Sequence, residues 1–351
     1  MAITTRIGRT PSALVFAALL VSWSAAPALA QDATVVYLEG EPELRTNQGA
    51  TDWLDFGMSL RAGESVVTGG NDFVEMEYGD ASTIEVQPDT VFTVREVERG
   101  GERRTVMSNS AGAVKYRFNR LTGRSEPDIG TSSVVAGVRG TEVAVYAGGE
   151  GSSLFVVESG EVEVTSAGSS VSLTQDEAVE VPAGGPPGEK YSVIGRAINH
   201  SDWNASKTEA FLENPVDVLQ GVADQLQVYY SELDELRALY ADARARYDEK
   251  YAELEEAVET HGRESDEADA LREEVSPLSN EATIHAFNIR YYVLTALSLR
   301  RYAAGSMYME MKTRYILDQE NETYQQFIEL FNEIISDFEQ RATDELVAVD
   351  I

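Results

Sequence analysis

The sequence contains no cysteine and only three histidines in 351 residues. Without thiols there is no disulfide, no lipid-modified cysteine and no thiolate metal ligand. His200, His261 and His285 lie far apart, and no two have the one-turn spacing of a helical zinc site. Cations are scarce as well: 28 Lys and Arg stand against 60 Asp and Glu, a formal net charge of −32. Such a surface repels phosphate backbones and anionic lipid, so nucleic acid is not an expected partner. Beyond residue 23 no apolar run is long enough to span a bilayer, and no membrane segment is expected in the mature chain. Phosphate-cradling glycine–lysine loops and the G-x-S-x-G elbow are also missing. Carboxylates are so frequent that no pair stands out as the acid and base of a glycosidase. These absences predict no metal, no cofactor and no enzymatic activity.

What is present begins with a leader. Arg6 and Arg9 precede a short apolar run over residues 13–23, and Ala28-Leu29-Ala30 offers a small-residue cleavage site before Gln31. Residues 1–30 therefore read as a secretory signal peptide, which makes the mature product periplasmic or secreted. Hydrophobic residues make up 43% of the chain, enough to fill a core. The length corresponds to roughly two to three domains.

Over residues 34–181 apolar and polar residues alternate, as in Val74/Met76/Tyr78 against Phe73/Glu75/Glu77, and in Val162/Val164 against Glu161/Glu163. This is the period of half-buried strands, and their number fits a sandwich, a barrel or a stacked solenoid. Loops are expected at residues 99–104 and 126–128, and Gly184-Gly185-Pro186-Pro187-Gly188 reads as part of a linker. Gly69-Gly70-Asn71-Asp72 lacks the spaced ladder of a calcium loop and reads as a turn. Trp53 is expected in the core, and Trp203 between the two halves of the chain.

The run Val135-Ala136-Gly137-Val138-Arg139-Gly140-Thr141-Glu142-Val143-Ala144-Val145-Tyr146 reads as strand, tight turn, strand. Gly140 tolerates positive φ, so a sharp reversal fits there. Arg139 would project a cation from that turn, either to pair with a neighbouring carboxylate or to anchor a partner or an anionic ligand. Arg139, Gly140, Thr141 and Glu142 are the candidate partner-binding residues.

This run resembles the FecR-domain family of bacterial envelope proteins. So do the ordered motifs around it: Val36 to Leu44, Leu60-Arg61-Ala62-Gly63-Glu64 with Ser65 to Gly69, Phe73 to Asp80, Ile84 to Thr90, Val156 to Val164, and Val179-Glu180-Val181. The resemblance covers nearly all of residues 34–182 and implies a β-rich module, solenoid-like or sandwich-like. The family's namesake senses an outer-membrane receptor in the periplasm and controls a sigma factor from its cytoplasmic segment. Here only the exported module is similar, so direct sigma-factor control is not expected.

Past Trp203 the period changes. Leu219, Leu226, Leu233, Tyr240, Tyr247 and Leu254 recur every seven residues, with Val222, Tyr229, Leu236 and Ala243 offset by three. That seam predicts a long helix starting at Asn214-Pro215 and ending at Gly262. Leu219, Leu226, Leu233, Leu236, Tyr240, Tyr247 and Leu254 are the candidate helix-interface residues. A short helix over residues 266–275, closed by Pro277, should precede a second long helical segment from Ser279-Asn280-Glu281. Its stripe of Ile284, Phe287, Tyr291, Leu294, Leu297 and Tyr302 should pair with the first helix, with a kink at Gly305-Ser306. Acids of the first helix and Arg290, Arg300, Arg301, Lys312 and Arg314 of the second would set the register.

The expected organisation is a signal peptide (1–30), an all-β FecR-like module (31–182), a linker (183–204) and an all-α long-helix hairpin or coiled coil (205–351). The expected role is a periplasmic, non-enzymatic interaction protein. Its β module would bind an envelope protein or cell-wall component, and its helices would dock a partner or form a homodimer. Binding of peptidoglycan or carbohydrate is the alternative, followed by an envelope-polymer hydrolase with an elevated-pKa carboxylate in a cleft.

Overall fold

The computed structural model describes residues 33–46, 49–79, 82–99, 102–119 and 127–345. The signal peptide expected over residues 1–30 lies outside them. Fifteen strands come first: β1 Ala33–Glu39, β2 Glu43–Arg45, β3 Thr51–Trp53, β4 Ser59–Leu60, β5 Ser65–Val67, β6 Phe73–Tyr78, β7 Ser82–Val86, β8 Val91–Arg99, β9 Glu102–Arg117, β10 Asp128–Gly130, β11 Val135–Ala147, β12 Ser153–Ser166, β13 Ser169–Thr174, β14 Glu177–Val181 and β15 Tyr191–Ser192. They form one open, mostly antiparallel sheet with a main path β15-β14-β12-β11-β10-β9-β7-β6-β1-β4 and a side branch through β8, β5, β2 and β3. Among the described strands only β9 and β10 run parallel, which is not the stacking of a parallel solenoid.

Three long strands let this sheet bend over one core. β9 leaves β8 and takes up β7 and β11 at Gly112. β11 passes from β10 to β9 near Gly140, and β12 from β13 to β14 near Gly160. All three glycines have positive φ, at 85°, 55° and 86°. A strand that changes partners needs a local bend, and a glycine in the left-handed region supplies it without a Cβ clash. The expected tight turn at Gly137–Gly140 is therefore corrected: β11 runs on through the segment, and Gly140 marks a bulge where register shifts between Arg139 and Glu142. Alternating residues such as Val74, Met76, Ile84, Tyr116, Val145, Phe155 and Val179 fill the core beneath.

Trp53 departs from its expected place in that core, with 64% of its surface exposed. β3 pairs only with β2, so the edge hairpin holds Trp53 opposite Glu43 and outside the sheet's covered face.

Five α-helices follow: α1 His200–Glu213, α2 Pro215–His261, α3 Asp266–Ser298, α4 Gly305–Arg314 and α5 Glu322–Glu345, with a π-helical segment Leu299–Ala304 between α3 and α4. Helix thus begins at His200, where the Asn199 side chain accepts from the Asp202 amide at 3.1 Å. Pro215 occupies the first turn of α2, and Gly262, at φ 96°, ends it. At 47 residues α2 is about 70 Å long.

The break expected at Pro277 is absent: α3 runs through it as one 33-residue helix. Proline removes one amide donor and crowds the preceding turn. Packing on both sides offsets this, with Ala268 and Val275 against Leu254 before it and Ala282, Ala286 and Ile289 buried after it. The single stripe expected on α3 is in fact two buried faces, because the helix packs on α2 and also on β8. Ile289 and Ala296 cluster with Leu226 and Leu233, while Tyr291 clusters with Val97 and Val106. The kink expected at Gly305 is replaced by the π-helical segment just before it.

The charge pairing between helices is also the reverse of expectation. Bases of α2 reach acids of α3, through Arg246–Glu281 at 2.5 Å and Lys250–Glu274 at 3.2 Å. Arg300 and Lys312 instead lie over the rings of Phe338 and Tyr308, and Arg301 over Tyr302.

Candidate functional site

The four residues singled out at the bulge lie together in one cavity of about 800 Å³, walled by Arg117 to Asn119, Arg139 to Glu142, Ser159 to Glu161 and Thr174. Its floor is built from backbone. The Arg139 amide donates to Thr141 Oγ1 at 3.1 Å, and that hydroxyl donates to the Glu161 carbonyl at 3.0 Å. The Phe118 amide donates to the Thr141 carbonyl at 2.8 Å, tying β9 to the bulge. A Cβ on Gly160 would come within 2.5 Å of the Gly140 carbonyl oxygen, so the two strands cross here at glycine-only separation.

The three side chains among these four residues have different roles. Thr141 is buried and serves the bulge. Glu142 accepts from Arg117 at 2.9 Å and pairs with Lys115 at 3.2 Å, and Lys115 also reaches Glu158 at 2.8 Å. This ladder crosses β9, β11 and β12. The Arg117 guanidinium, with Lys115, holds the Glu142 carboxyl below its ordinary range. Burial opposes the charge on Lys115, but hydrogen bonds to Glu158 and Glu142 outweigh it and raise the ammonium's pKa. Arg139 stays outside this network. It is exposed and lies in register opposite Glu161, with no ion pair among the described residues.

The ladder separates this cavity from a second, of about 710 Å³, which has Lys115 and Glu158 in its wall. The second cavity lies under the first turn of α1, beside Tyr146 and His200. Nothing in the sequence pattern marks it, because its walls come from segments more than a hundred residues apart.

The seven helix-seam residues pack within the chain itself. Leu219, Leu226 and Leu233 are buried with Leu299, Ala303, Met307 and Phe327, and Leu236 and Tyr240 flank them. Leu254 and Tyr247 pack with Ala268 and Val275 in the distal part of the hairpin. Trp203 is buried on the sheet against Ala144, Leu154, Val156 and Ala178.

Among the described residues one carboxyl has a raised pKa. Burial pushes Glu150 up, and hydrogen bonds from Ser152 only partly offset this. Glu150 sits in the β11–β12 hairpin loop and lines neither large cavity. Among the described residues no group of three or more His, Asp or Glu could hold a metal ion. No helix among them is long and apolar enough to cross a membrane.

The family model described as FecR protein matches residues 64–163, a span that includes the bulge and the whole ladder. Two crystal structures of a candidate anti-sigma factor from Parabacteroides distasonis are similar, at 18% and 19% identity and a TM-score of 0.30 each. The alignment covers 36% of this chain and 59% or 57% of those chains, less than two thirds of their length. No curated protein matches.

Proposed function

Starting from a FecR-like segment built around this bulge, we propose that the chain is an exported sensing or regulatory protein of the bacterial envelope that acts by binding and not by catalysis. The β module over residues 31–182 would carry the recognition surface, with Arg139 as its anchor. The observation that carries this reading is the exposed Arg139 guanidinium, with no ion pair among the described residues, on the rim of the 800 Å³ cavity. In a chain with more than twice as many acids as bases, an Arg kept out of the neighbouring ion ladder is free to meet a carboxylate of a protein partner. The glycine bulge gives the partner rigid backbone to dock on.

The helical region, read as residues 205–351, would dock a partner through its distal hairpin. Residues 236–281 hold 14 acids against six bases, and five of those bases are already paired with acids of the same two helices. This charge opposes side-by-side packing of two copies and favours a basic partner.

Photo-crosslinking tests the Arg139 site. A photoreactive residue at position 161 should capture one envelope protein, and Arg139→Ala should abolish that capture while leaving the circular dichroism spectrum unchanged. Capture that survives Arg139→Ala would remove Arg139 from the site. Sedimentation of the protein with purified sacculi in place of protein capture would favour a cell-wall ligand.

A further inference from the structure

The second cavity has its own chemistry, independent of the Arg139 site. The imidazole of His200 stacks on the Tyr146 ring, with centroids 5.6 Å apart and planes 26° from parallel. Its Nε2 is buried, with no hydrogen-bond partner among the described residues. Burial lowers the pKa of this histidine, so the ring is neutral at pH 7. A neutral imidazole has one lone-pair nitrogen, and an Nε2 in that form accepts a hydrogen bond.

The rest of the cavity is also rich in acceptors. Asp89 and Glu158 contribute carboxylates, and the one cation in the wall, Lys115, is already shared between Glu142 and Glu158. Asn204 accepts the Gly149 amide through Oδ1 at 3.0 Å, which leaves its NH₂ to donate. Pro88 and Ile198 add apolar wall. An anion would face two carboxylates, and an amine would face the Lys115 ammonium. A neutral ligand with many hydroxyl donors and an apolar C–H face meets neither penalty. The volume of about 710 Å³ is within the usual range for small-molecule sites.

We propose that this cavity binds a neutral polyhydroxyl molecule of mono- to disaccharide size. Its hydroxyls donate to His200 Nε2 and to the carboxylates of Asp89 and Glu158, one oxygen accepts from Asn204 Nδ2, and its C–H face lies on Pro88 and Ile198. Because Tyr146 and His200 also touch Trp203, an occupied cavity would brace α1 against the sheet.

With only three histidines in the chain, ¹⁵N-histidine NMR on the full-length protein follows His200 directly. The probes are N-acetylglucosamine, maltose and trehalose, with inorganic phosphate and putrescine as charged comparators. The expected result is a saturable shift of the His200 Nε2 signal with at least one sugar, with His261 and His285 unmoved and no response to either charged probe. Asn204→Ala should weaken that sugar's binding about tenfold, the loss of one buried hydrogen bond. Absence of a saturable shift with all three sugars overturns the proposal, as does an equal response to phosphate or putrescine. So does sugar binding left undiminished by Asn204→Ala.

Discussion

Gly160 crosses Gly140 so closely that a Cβ on Gly160 would stand 2.5 Å from the Gly140 carbonyl oxygen and 2.9 Å from Thr141 Cα. Both atoms belong to backbone, which cannot swing away, and φ at Gly160 is 86°. Gly160→Ala should therefore combine a left-handed penalty with a steric one and cost on the order of 2 kcal/mol or more. Gly168 is the control: its φ is 72°, but nothing lies within 4 Å of the added Cβ. Gly168→Ala should cost only about 1 kcal/mol. Urea unfolding midpoints of the two variants provide the comparison, and equal midpoints would show that the crossing is not tight.

A second prediction concerns Arg95, which is 2% exposed on β8. Its guanidinium donates to Thr295 Oγ1 at 3.1 Å and Ser298 Oγ at 2.5 Å, its Nε has no partner, and no carboxylate pairs with it among the described residues. Thr295 and Ser298 also donate to the Tyr291 and Leu294 carbonyls, so removing the Arg leaves both hydroxyls bonded. A buried cation without a counter-ion is costly. Arg95→Met should stabilise the chain by on the order of 1 kcal/mol, read as a rise in thermal midpoint. Arg95→Glu should part α3 from β8, read as faster amide exchange in both. Destabilisation by Arg95→Met would mean that the cation is compensated.

Much of the fold is legible from local pattern. Alternation marks the strands, the seven-residue seam marks α2, and Asn214-Pro215 and Gly262 mark its ends. Less legible is anything decided by what lies across the fold. Helix α1 buries only Trp203 and Phe211, too few to make a stripe, although Asn199 and Asp202 form a cap that could have been read. Pro277 looks like a stop because its packing partners come from α2. Trp53 looks like core because nothing in its neighbourhood shows that β3 is an edge. At the site, Arg139 to Glu142 stand out through their glycines. Arg117, Ser159 and Thr174 join them only through strand register. His200 is visible only as an isolated histidine, and its pairing with Tyr146 is a tertiary fact.

Glu150 sets a pH dependence. Its native carboxyl titrates above the ordinary 4.5, chiefly through burial, with Lys207 and Ser152 opposing. The native state thus holds this proton more tightly than the unfolded chain does. Stability contributed by the protonated form is present below 4.5 and is lost as pH rises through the raised native value. Glu150→Gln mimics the protonated form. It should match the wild type near pH 4 and exceed it above neutrality, in urea titrations run at each pH. A constant difference between the two across that range would show that Glu150 does not titrate as its burial dictates.

The charge ladder should respond in the opposite direction. Arg117 and Lys115 hold Glu142 low, so its contribution is present above 4.5 and disappears as pH falls through the depressed native value. The Glu142 side chain is partly exposed and its partner Arg117 half-exposed, so the contribution is small, about 0.5–1 kcal/mol, and is screened by salt. Glu142→Gln should lower stability at neutral pH and low ionic strength, and the loss should shrink in about 1 M salt. Because Lys115 would keep Glu158 as a partner, Arg117 should be the base left more mobile, visible as a narrowed side-chain Nε resonance. A loss that persists in high salt would instead assign Glu142 a packing role in the bulge.

The distal hairpin offers a test of how far packing overrides local preference. Proline inside a helix typically costs about 3 kcal/mol relative to alanine, yet α3 continues through Pro277, held by Val275 on one side and Ala282 on the other. Only half of that hairpin carries a well-buried seam, so the cost falls on local opening of the arm and not on global unfolding. Pro277→Ala should slow amide exchange over residues 266–281 at least tenfold while shifting the global unfolding midpoint little. The salt bridges Arg246–Glu281 and Lys250–Glu274 span the same stretch, so α2 should gain protection over residues 243–254 in parallel. If protection rose in α3 alone, the two helices would be opening separately and the hairpin would not be a cooperative unit.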